Sequence, residues 1–279
     1  LGHENAGWVE AVGDAVTNVR IGDPVIVHPL RTCGVCWGCR RGEDMYCVAS
    51  KFPGVTVDGG YAEYLQTTER SLIVLPEALE PTTVAPFADA GITAYRAVRK
   101  AASILQPGQT AVVIGVGGLG HIGVQLLREM TPARVVAVDR APSGRELAAK
   151  LGAHNVFDDV EAVPSIIDLT GGLGADVVID FVGEQDTPQQ AIQMLRQGGT
   201  YYIVGYGAEL KTPSVELVLK EISVVGNLVG SYADLDGLMK LVSEGRVILE
   251  TTTYKLEQAL EALDDLKNGR LLGRAVLKP

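Results

Sequence analysis

The chain has 279 residues, too many for one small domain and suited to two moderate ones or one large α/β unit. Hydrophobic residues at 47% suffice for a core, and the 33 glycines form no Gly/Ser tract or fixed-period repeat, so they point to tight turns rather than low complexity. A net charge of −10 and a pI of about 4.9 argue against nucleic acid and no apolar run has membrane-spanning length; with no signal peptide visible, the cytosol is the expected compartment.

In chain order, Leu1-Gly2-His3-Glu4 enters an ordered pattern at once, which reads as a start inside a domain. Residues 1 to about 86 are β-rich: strands are predicted at Trp8–Val12, ended by Gly13-Asp14, at Pro24–Val27 after the turn Ile21-Gly22-Asp23, and at Tyr61–Leu65 after Gly59-Gly60. From about residue 87 strands and helices alternate. Ala111–Val116 is a continuous apolar run, as for a buried parallel strand. His121–Met130 has helical spacing of Ile122, Leu126, Leu127 and Met130. Arg134–Asp139 is the next strand, and Pro142–Leu151 a helix with Gly152 after its end. Strands follow at Asp176–Phe181 and Thr200–Val204, with a helix over Pro188–Gln197 between them. This rhythm predicts an α/β fold with a doubly wound parallel sheet. The tail returns to helix at Leu235–Glu244 and Leu256–Lys267, then a strand at Ala275–Leu277; it is too long for one more βα unit and is expected to fold back onto the first domain.

All four cysteines, Cys33, Cys36, Cys39 and Cys47, lie in one stretch spaced C-x2-C-x2-C-x7-C. Tetrahedral zinc needs four soft donors converging on a point, and short C-x2-C turns bring thiolates together. Four thiolates leave no open position, so this zinc is structural, holding a loop with little apolar core. Disulfides or free thiols are the bland alternatives, the former disfavoured in a cytosolic protein. A DNA-binding zinc ribbon with Arg31, Arg40 and Arg41 as its basic patch is the rival, opposed by the acidic remainder.

Gly115-Val116-Gly117-Gly118-Leu119-Gly120 matches G-x-G-x-x-G between a predicted strand and a predicted helix, the context that a dinucleotide site requires. Gly115 allows the tight turn, Gly117 the approach of the pyrophosphate, and Gly120 close packing of helix on strand, with the helix N-terminus facing the phosphates. Asp139, nineteen residues after Gly120, can accept from both ribose hydroxyls and repel a 2′-phosphate, favouring NAD over NADP; Arg140 beside it is the residue that could tolerate that phosphate. A ligand-free Gly-rich turn is the alternative.

Gly2-His3-Glu4-Asn5-Ala6-Gly7, with Gly13 and Val16, is similar to the zinc signature of the zinc-containing medium-chain alcohol dehydrogenases, whose structural-zinc lobe the Cys quartet resembles and whose cofactor site Gly115–Gly120 with Asp139 resembles. The stretch Pro86–Val98 resembles bacterial and archaeal NAD-dependent members, tetrameric ones included. The resemblance implies a GroES-like catalytic domain over residues 1–86, incomplete at its N-terminus, a Rossmann NAD domain over 87–228, and a return to the catalytic domain over 229–279. It implies His3, Glu4 and Asp89 around a catalytic zinc, Asp89 standing where many members have Cys and secondary-alcohol enzymes often have Asp. Thr93 would lie against the nicotinamide with Leu119 behind its ring, Val182 and Val204 would flank the nicotinamide and its ribose, and Arg274 would reach the pyrophosphate. Members take a further Cys ligand and a proton-relay Ser or Thr from a segment ahead of the Gly-His-Glu motif, which this sequence lacks.

The expected activity is hydride transfer between an alcohol, secondary by preference, and NAD, in a homotetramer or homodimer with a small-molecule alcohol or ketone as substrate and neither nucleic acid nor membrane as partner. Polyol or threonine dehydrogenases share these motifs. A zinc-free quinone reductase is disfavoured by His3 and the Cys quartet. A catalytically silent NAD-binding fragment is the reading from another class.

Overall fold

A computed structural model describes residues 1–279 and divides into two compact units, Leu1–Ile92 with Val229–Pro279, and Thr93–Leu228. No helix is long and apolar enough to cross a membrane.

At the start of the first unit, β1 (Asn5–Trp8) pairs antiparallel with β2 (Pro24–Val27), which pairs antiparallel with the later β3 (Leu72–Val74). The β-branched run Val25-Ile26-Val27 is buried, as suits the central strand of three. Between β2 and β3 lies the cysteine stretch with its single-turn helix α1 (Trp37–Arg40). After β3 comes α2 (Pro81–Val84), opened by a proline where a missing N–H costs nothing.

Two predicted strands differ here. The first is shifted, running Asn5–Trp8 rather than Trp8–Val12. Its ladder ends where Trp8 meets Pro24, and the bonds Val9 N–H to Asp23 and Gly22 N–H to Val9 close the turn, leaving residues 10–12 no partner strand. Tyr61–Leu65 is irregular, held by bonds from the Gly60 and Tyr61 amides to the carbonyls of Gly2 and Leu1. Its alternation faces no strand; with Trp8, Val12, Leu266 and Leu277 it lines a cavity of about 1020 Å³ within this unit.

Helix α3 (Ala90–Ala102) runs across the boundary of the two units. The second unit then alternates β4 (Thr110–Ile114), α4 (Gly120–Met130), β5 (Arg134–Val138), α5 (Pro142–Lys150), β6 (Asn155–Phe157), α6 (Ala162–Leu169), β7 (Ala175–Asp180), α7 (Thr187–Met194), β8 (Leu195–Ile203), α8 (Ser214–Lys220) and β9 (Ser223–Gly226). The six strands form one all-parallel sheet in the order β6-β5-β4-β7-β8-β9. Strand β4 is buried throughout, which explains its unbroken apolar run after Thr110. Chain order reverses between β4 and β7, the switch point outside whose strand ends open α/β sheets bind ligands. The predicted helix over Pro188–Gln197 stops at Met194, because Leu195 already pairs with Ala175; the ladder then shifts register before Thr200 meets Val177.

The tail, in the first unit, comprises α9 (Tyr232–Ser243), β10 (Thr251–Lys255), α10 (Ala259–Lys267) and β11 (Arg274–Lys278). A capping box of Ser231 and Asp234 starts α9, and β10 and β11 pair in parallel across α10. The tail is tied to the early residues by polar contacts. Buried His28 places its ring nitrogens 3.1 Å from the carbonyls of Leu30 and Gly230. Asp44 accepts the Tyr232 amide at 2.9 Å, and the Tyr232 hydroxyl donates to the Leu72 carbonyl at 3.1 Å.

Candidate functional site

The cysteine lobe folds around its thiols. All four are free, and their Sγ atoms lie within 4.8 Å of one another. Cys36 and Cys39 are 3.6 Å apart at sulfur and Cys33 and Cys39 4.0 Å. These spacings far exceed a disulfide's ~2.05 Å and bracket the ~3.8 Å edge of a tetrahedron with Zn–S of about 2.3 Å. Backbone amides point at the sulfurs, from Cys36 to Cys33 and from Cys33 to Cys47, each at 3.4 Å. Amides of Cys39 and Val48 lower the Cys36 thiol to about 6, those of Val35 and Cys36 lower Cys33, and burial pushes Cys47 up to about 11. The donor set fits structural zinc: soft, four-coordinate and with thiolates favoured at the exposed corner. Asp44 anchors the lobe, taking Arg70 Nη2 at 3.0 Å and Thr32 Oγ1 at 3.4 Å on one oxygen and the Tyr232 amide on the other.

In the second unit the Gly-rich turn joins β4 to α4. Gly115 has φ +82°, and a Cβ there would meet Val182 Cγ2 at 2.4 Å; a Cβ on Gly120 would meet the Gly115 carbonyl at 1.7 Å. A Cβ on Gly117 would meet nothing within 4 Å, so that backbone faces open space. The amides of Gly117, Gly118 and Leu119 donate to no backbone carbonyl, leaving the N–H cradle that phosphates use. At the end of β5, Asp139 takes the Val116 amide at 2.6 Å on one oxygen and the Ala141 amide at 2.8 Å on the other, fixing its carboxylate against the turn. Arg140 is exposed, and Arg145 Nη1 instead pins the segment through the carbonyls of Asp139 (2.8 Å) and Arg140 (2.9 Å) and Asp158 Oδ2 (2.7 Å). Val182 and Val204 follow the ends of β7 and β8, where a ligand at the switch point would lie, and Thr93 is buried within α3. Gly144 escaped the sequence reading. Its would-be Cβ lies 2.7 Å from Asp139 Cγ, so only glycine admits the carboxylate there; a glycine in the first turn of a helix was the available signal.

The Gly-His-Glu segment enters β1 within the first unit. His3 Nε2 lies 3.3 Å from Asp89 Oδ2, and Phe52 sets its ring edge-on to His3 with centroids 5.5 Å apart. The other Asp89 oxygen is buried without a hydrogen-bond partner. A tetrahedral zinc with N and O ligands at about 2.1 Å separates them by ~3.4 Å, so this pair and its orphaned oxygen fit a metal. The Asp89 hydrogen bond raises the His3 pKa against the effect of burial, so protons compete with metal there as pH falls. Glu4 turns elsewhere: one oxygen accepts the Ala90 amide at 2.8 Å and the other pairs with Arg274 Nη2. Burial pushes the Glu4 carboxyl up while Arg274 opposes that shift. His3 and Asp89 thus come together; Glu4 and Arg274, to which the resemblance gives places beside the zinc and at the pyrophosphate, pair with each other.

Residues 1–77 match the model for the alcohol dehydrogenase GroES-like domain and residues 118–244 that for the zinc-binding dehydrogenase. The chain is 39% identical over 284 residues to an NAD-dependent alcohol dehydrogenase of Sulfurisphaera tokodaii, covering 100% of this chain and 81% of that one. It superposes on the crystal structure of an alcohol dehydrogenase from the hyperthermophilic archaeon Aeropyrum pernix with a TM-score of 0.97 at 47% identity, covering 100% of this chain and 82% of that one. A Geotrichum candidum acetophenone reductase, solved in complex with NAD, gives a TM-score of 0.89 at 30% identity, covering 100% of this chain and 81% of that one.

Proposed function

The chain belongs to the zinc-containing medium-chain alcohol dehydrogenases and is an NAD-linked alcohol oxidoreductase, and from that premise we propose that its substrate is a secondary alcohol or the matching ketone, with His3 and Asp89 as ligands of the catalytic zinc. The observation that carries this is the His3–Asp89 pair at 3.3 Å with an unpartnered buried carboxylate oxygen. The likeness to an acetophenone reductase, named for a ketone whose reduction yields a secondary alcohol, supports the substrate class.

When bound, zinc acts as a Lewis acid on the alcohol oxygen and NAD accepts the hydride. The residues do the positioning. Glu4 is a clamp: it follows His3 in the chain and grips the amide next to Asp89, so one carboxylate sets the separation of both ligands. Arg274 opposes the upward pull that burial exerts on that carboxyl. In the second unit Gly115, Gly117, Gly118, Leu119 and Gly120 receive the pyrophosphate and Asp139 the adenosine ribose, while Thr93, Val182 and Val204 serve the nicotinamide end. Cys33, Cys36, Cys39 and Cys47 hold a structural zinc. Residues 1–92 with 229–279 act as the catalytic domain and 93–228 as the NAD domain.

The protein is further read as a homo-oligomer. Strand β9 is an open sheet edge, and beside it in sequence α8 exposes Val215 (61%), Val218 (71%) and Leu219 (72%), the kind of apolar edge that a second copy covers.

The test is zinc content per chain together with turnover of primary alcohols, secondary alcohols, polyols and threonine with NAD. Turnover favouring secondary alcohols, with one zinc lost and activity abolished in Asp89→Ala, is the expected result. Full zinc content in Asp89→Ala would remove the assignment, and preference for a polyol or threonine would replace the substrate class.

A further inference from the structure

We propose that Arg128, Arg134 and His154 form an oxyanion site at the end of the parallel sheet remote from the Gly-rich turn, taking a phosphate group, free or as a monoester. Arg128 is in the last turn of α4, Arg134 is the first residue of β5, and His154 precedes β6. They line, with Gly108 and Thr131, a cavity of about 340 Å³ at the starts of the strands, whereas the Gly-rich turn follows the end of β4.

The argument rests on the histidine's hydrogen bonds. His154 Nδ1 receives the Val135 amide at 2.8 Å, so that nitrogen must present its lone pair. A neutral ring then carries its proton on Nε2. Protonating Nδ1 as well would set N–H against N–H; burial and the neighbouring Arg128 likewise hold the pKa below its ordinary value. Yet Nε2 lies 2.6 Å from Arg128 Nη1, which can only donate. Two donors therefore converge with no acceptor between them. An oxygen entering the cavity and spreading the pair would accept from both.

Charge points the same way. The chain carries 34 acidic residues against 24 Lys and Arg, yet neither Arg128 nor Arg134 is ion-paired with a carboxylate. Arg134 is near enough to His154 to act on its charge. Two guanidinium groups and an imidazole N–H offer the donors that a phosphate dianion takes in charge-assisted hydrogen bonds. The hydroxyl of Thr131 is already committed, donating to the Leu127 carbonyl at 2.8 Å, so it adds no donor to those three side chains. This site is independent of the dehydrogenase reading, and its failure would leave that reading intact.

The experiment follows the ring nitrogens of His154 by NMR in the full chain, assigned by their loss in His154→Gln, as inorganic phosphate or glycerol 2-phosphate is added at constant ionic strength against chloride. Without phosphate, an unprotonated Nδ1 and a protonated Nε2 are expected. Phosphate should then shift both signals saturably, and Arg128→Gln with Arg134→Gln should weaken binding about tenfold or more. A shift by inorganic phosphate alone identifies a free-ion site; a shift by both identifies a site open to phosphate esters. A protonated Nδ1, an unsaturable response, or a response unchanged in the double variant would overturn the proposal.

Discussion

Replacing Glu4 by Ala tests the clamp on the two proposed zinc ligands. Two interactions go at once: the acceptor for the Ala90 amide at 2.8 Å and the partner of Arg274. The side chains are only 14% and 25% exposed, so the guanidinium left behind is poorly solvated. A broken buried pair costs about 3–5 kcal/mol, and the partial exposure here brings the sum to roughly 2–4 kcal/mol. The metal effect should be larger in relative terms. Groups that orient zinc ligands change affinity by about 10–100-fold when removed, so competition with a chromophoric chelator should show one zinc held that much more weakly and the cysteine zinc unchanged. Glu4→Gln separates the two contributions: its amide oxygen can still take the Ala90 N–H, so it should keep most of the zinc affinity while losing much of the stability. Equal zinc affinity in wild type and Glu4→Ala would refute the clamp. Loss of affinity in Glu4→Gln as great as in Glu4→Ala would show that Glu4 acts through its charge instead.

Other outcomes follow from the same geometry. In protein stripped of zinc, iodoacetamide should modify Cys36 first, its rate rising through about pH 6, while Cys47, raised to about 11, lags; mass spectrometry of the alkylated peptides reads this directly. The sign for stability follows: a thiol depressed from 9.0 to about 6 stabilises the fold fully above its unfolded value and loses that contribution as pH falls through about 6. Gly144→Ala should drive the Asp139 carboxylate from its place and raise KM for NAD severalfold or more with little change in alcohol KM; an unchanged KM for NAD would show that the loop yields freely. Asp44→Asn should lower unfolding stability by about 2–4 kcal/mol in a denaturant titration, since one of its oxygens becomes a donor facing either Arg70 or the Tyr232 amide.

The central strands of the parallel sheet were legible because they are buried and the turn after β4 carries glycines with fixed tasks, so β4, β5 and the turn between β4 and α4 could be placed within two residues; the half-buried β6 and exposed β9 at the edges carry no such apolar run. Strands of the first unit were less legible. Their half-buried alternation looks the same whether or not a partner strand is opposite, and the difference between Asn5–Trp8 and Tyr61–Leu65 lies in pairing, which local sequence does not encode. The cysteine quartet was legible because its spacing is local. Asp89 meets His3 across 86 residues, and only likeness to a family pointed to it. Nothing local marked Asp44 as the anchor of the lobe or joined Glu4 to Arg274.

The unit that opens the chain is also the one that closes it, and this sets a timetable for synthesis. Glu4 leaves the ribosome 270 residues before Arg274. At about 5–20 residues per second that is a wait of roughly 15–55 s. In that interval the parallel-sheet unit, a single continuous stretch, can be finished, while the first unit still lacks the residues that neutralise Glu4, reach His28 and occupy Asp44. Leu228 precedes Arg274 by 46 residues, so a completed second half coexists with an unfinished first for only about 2–9 s at the end of that wait, whereas the four thiols stay open for most of it to whichever metal or oxidant arrives before the tail.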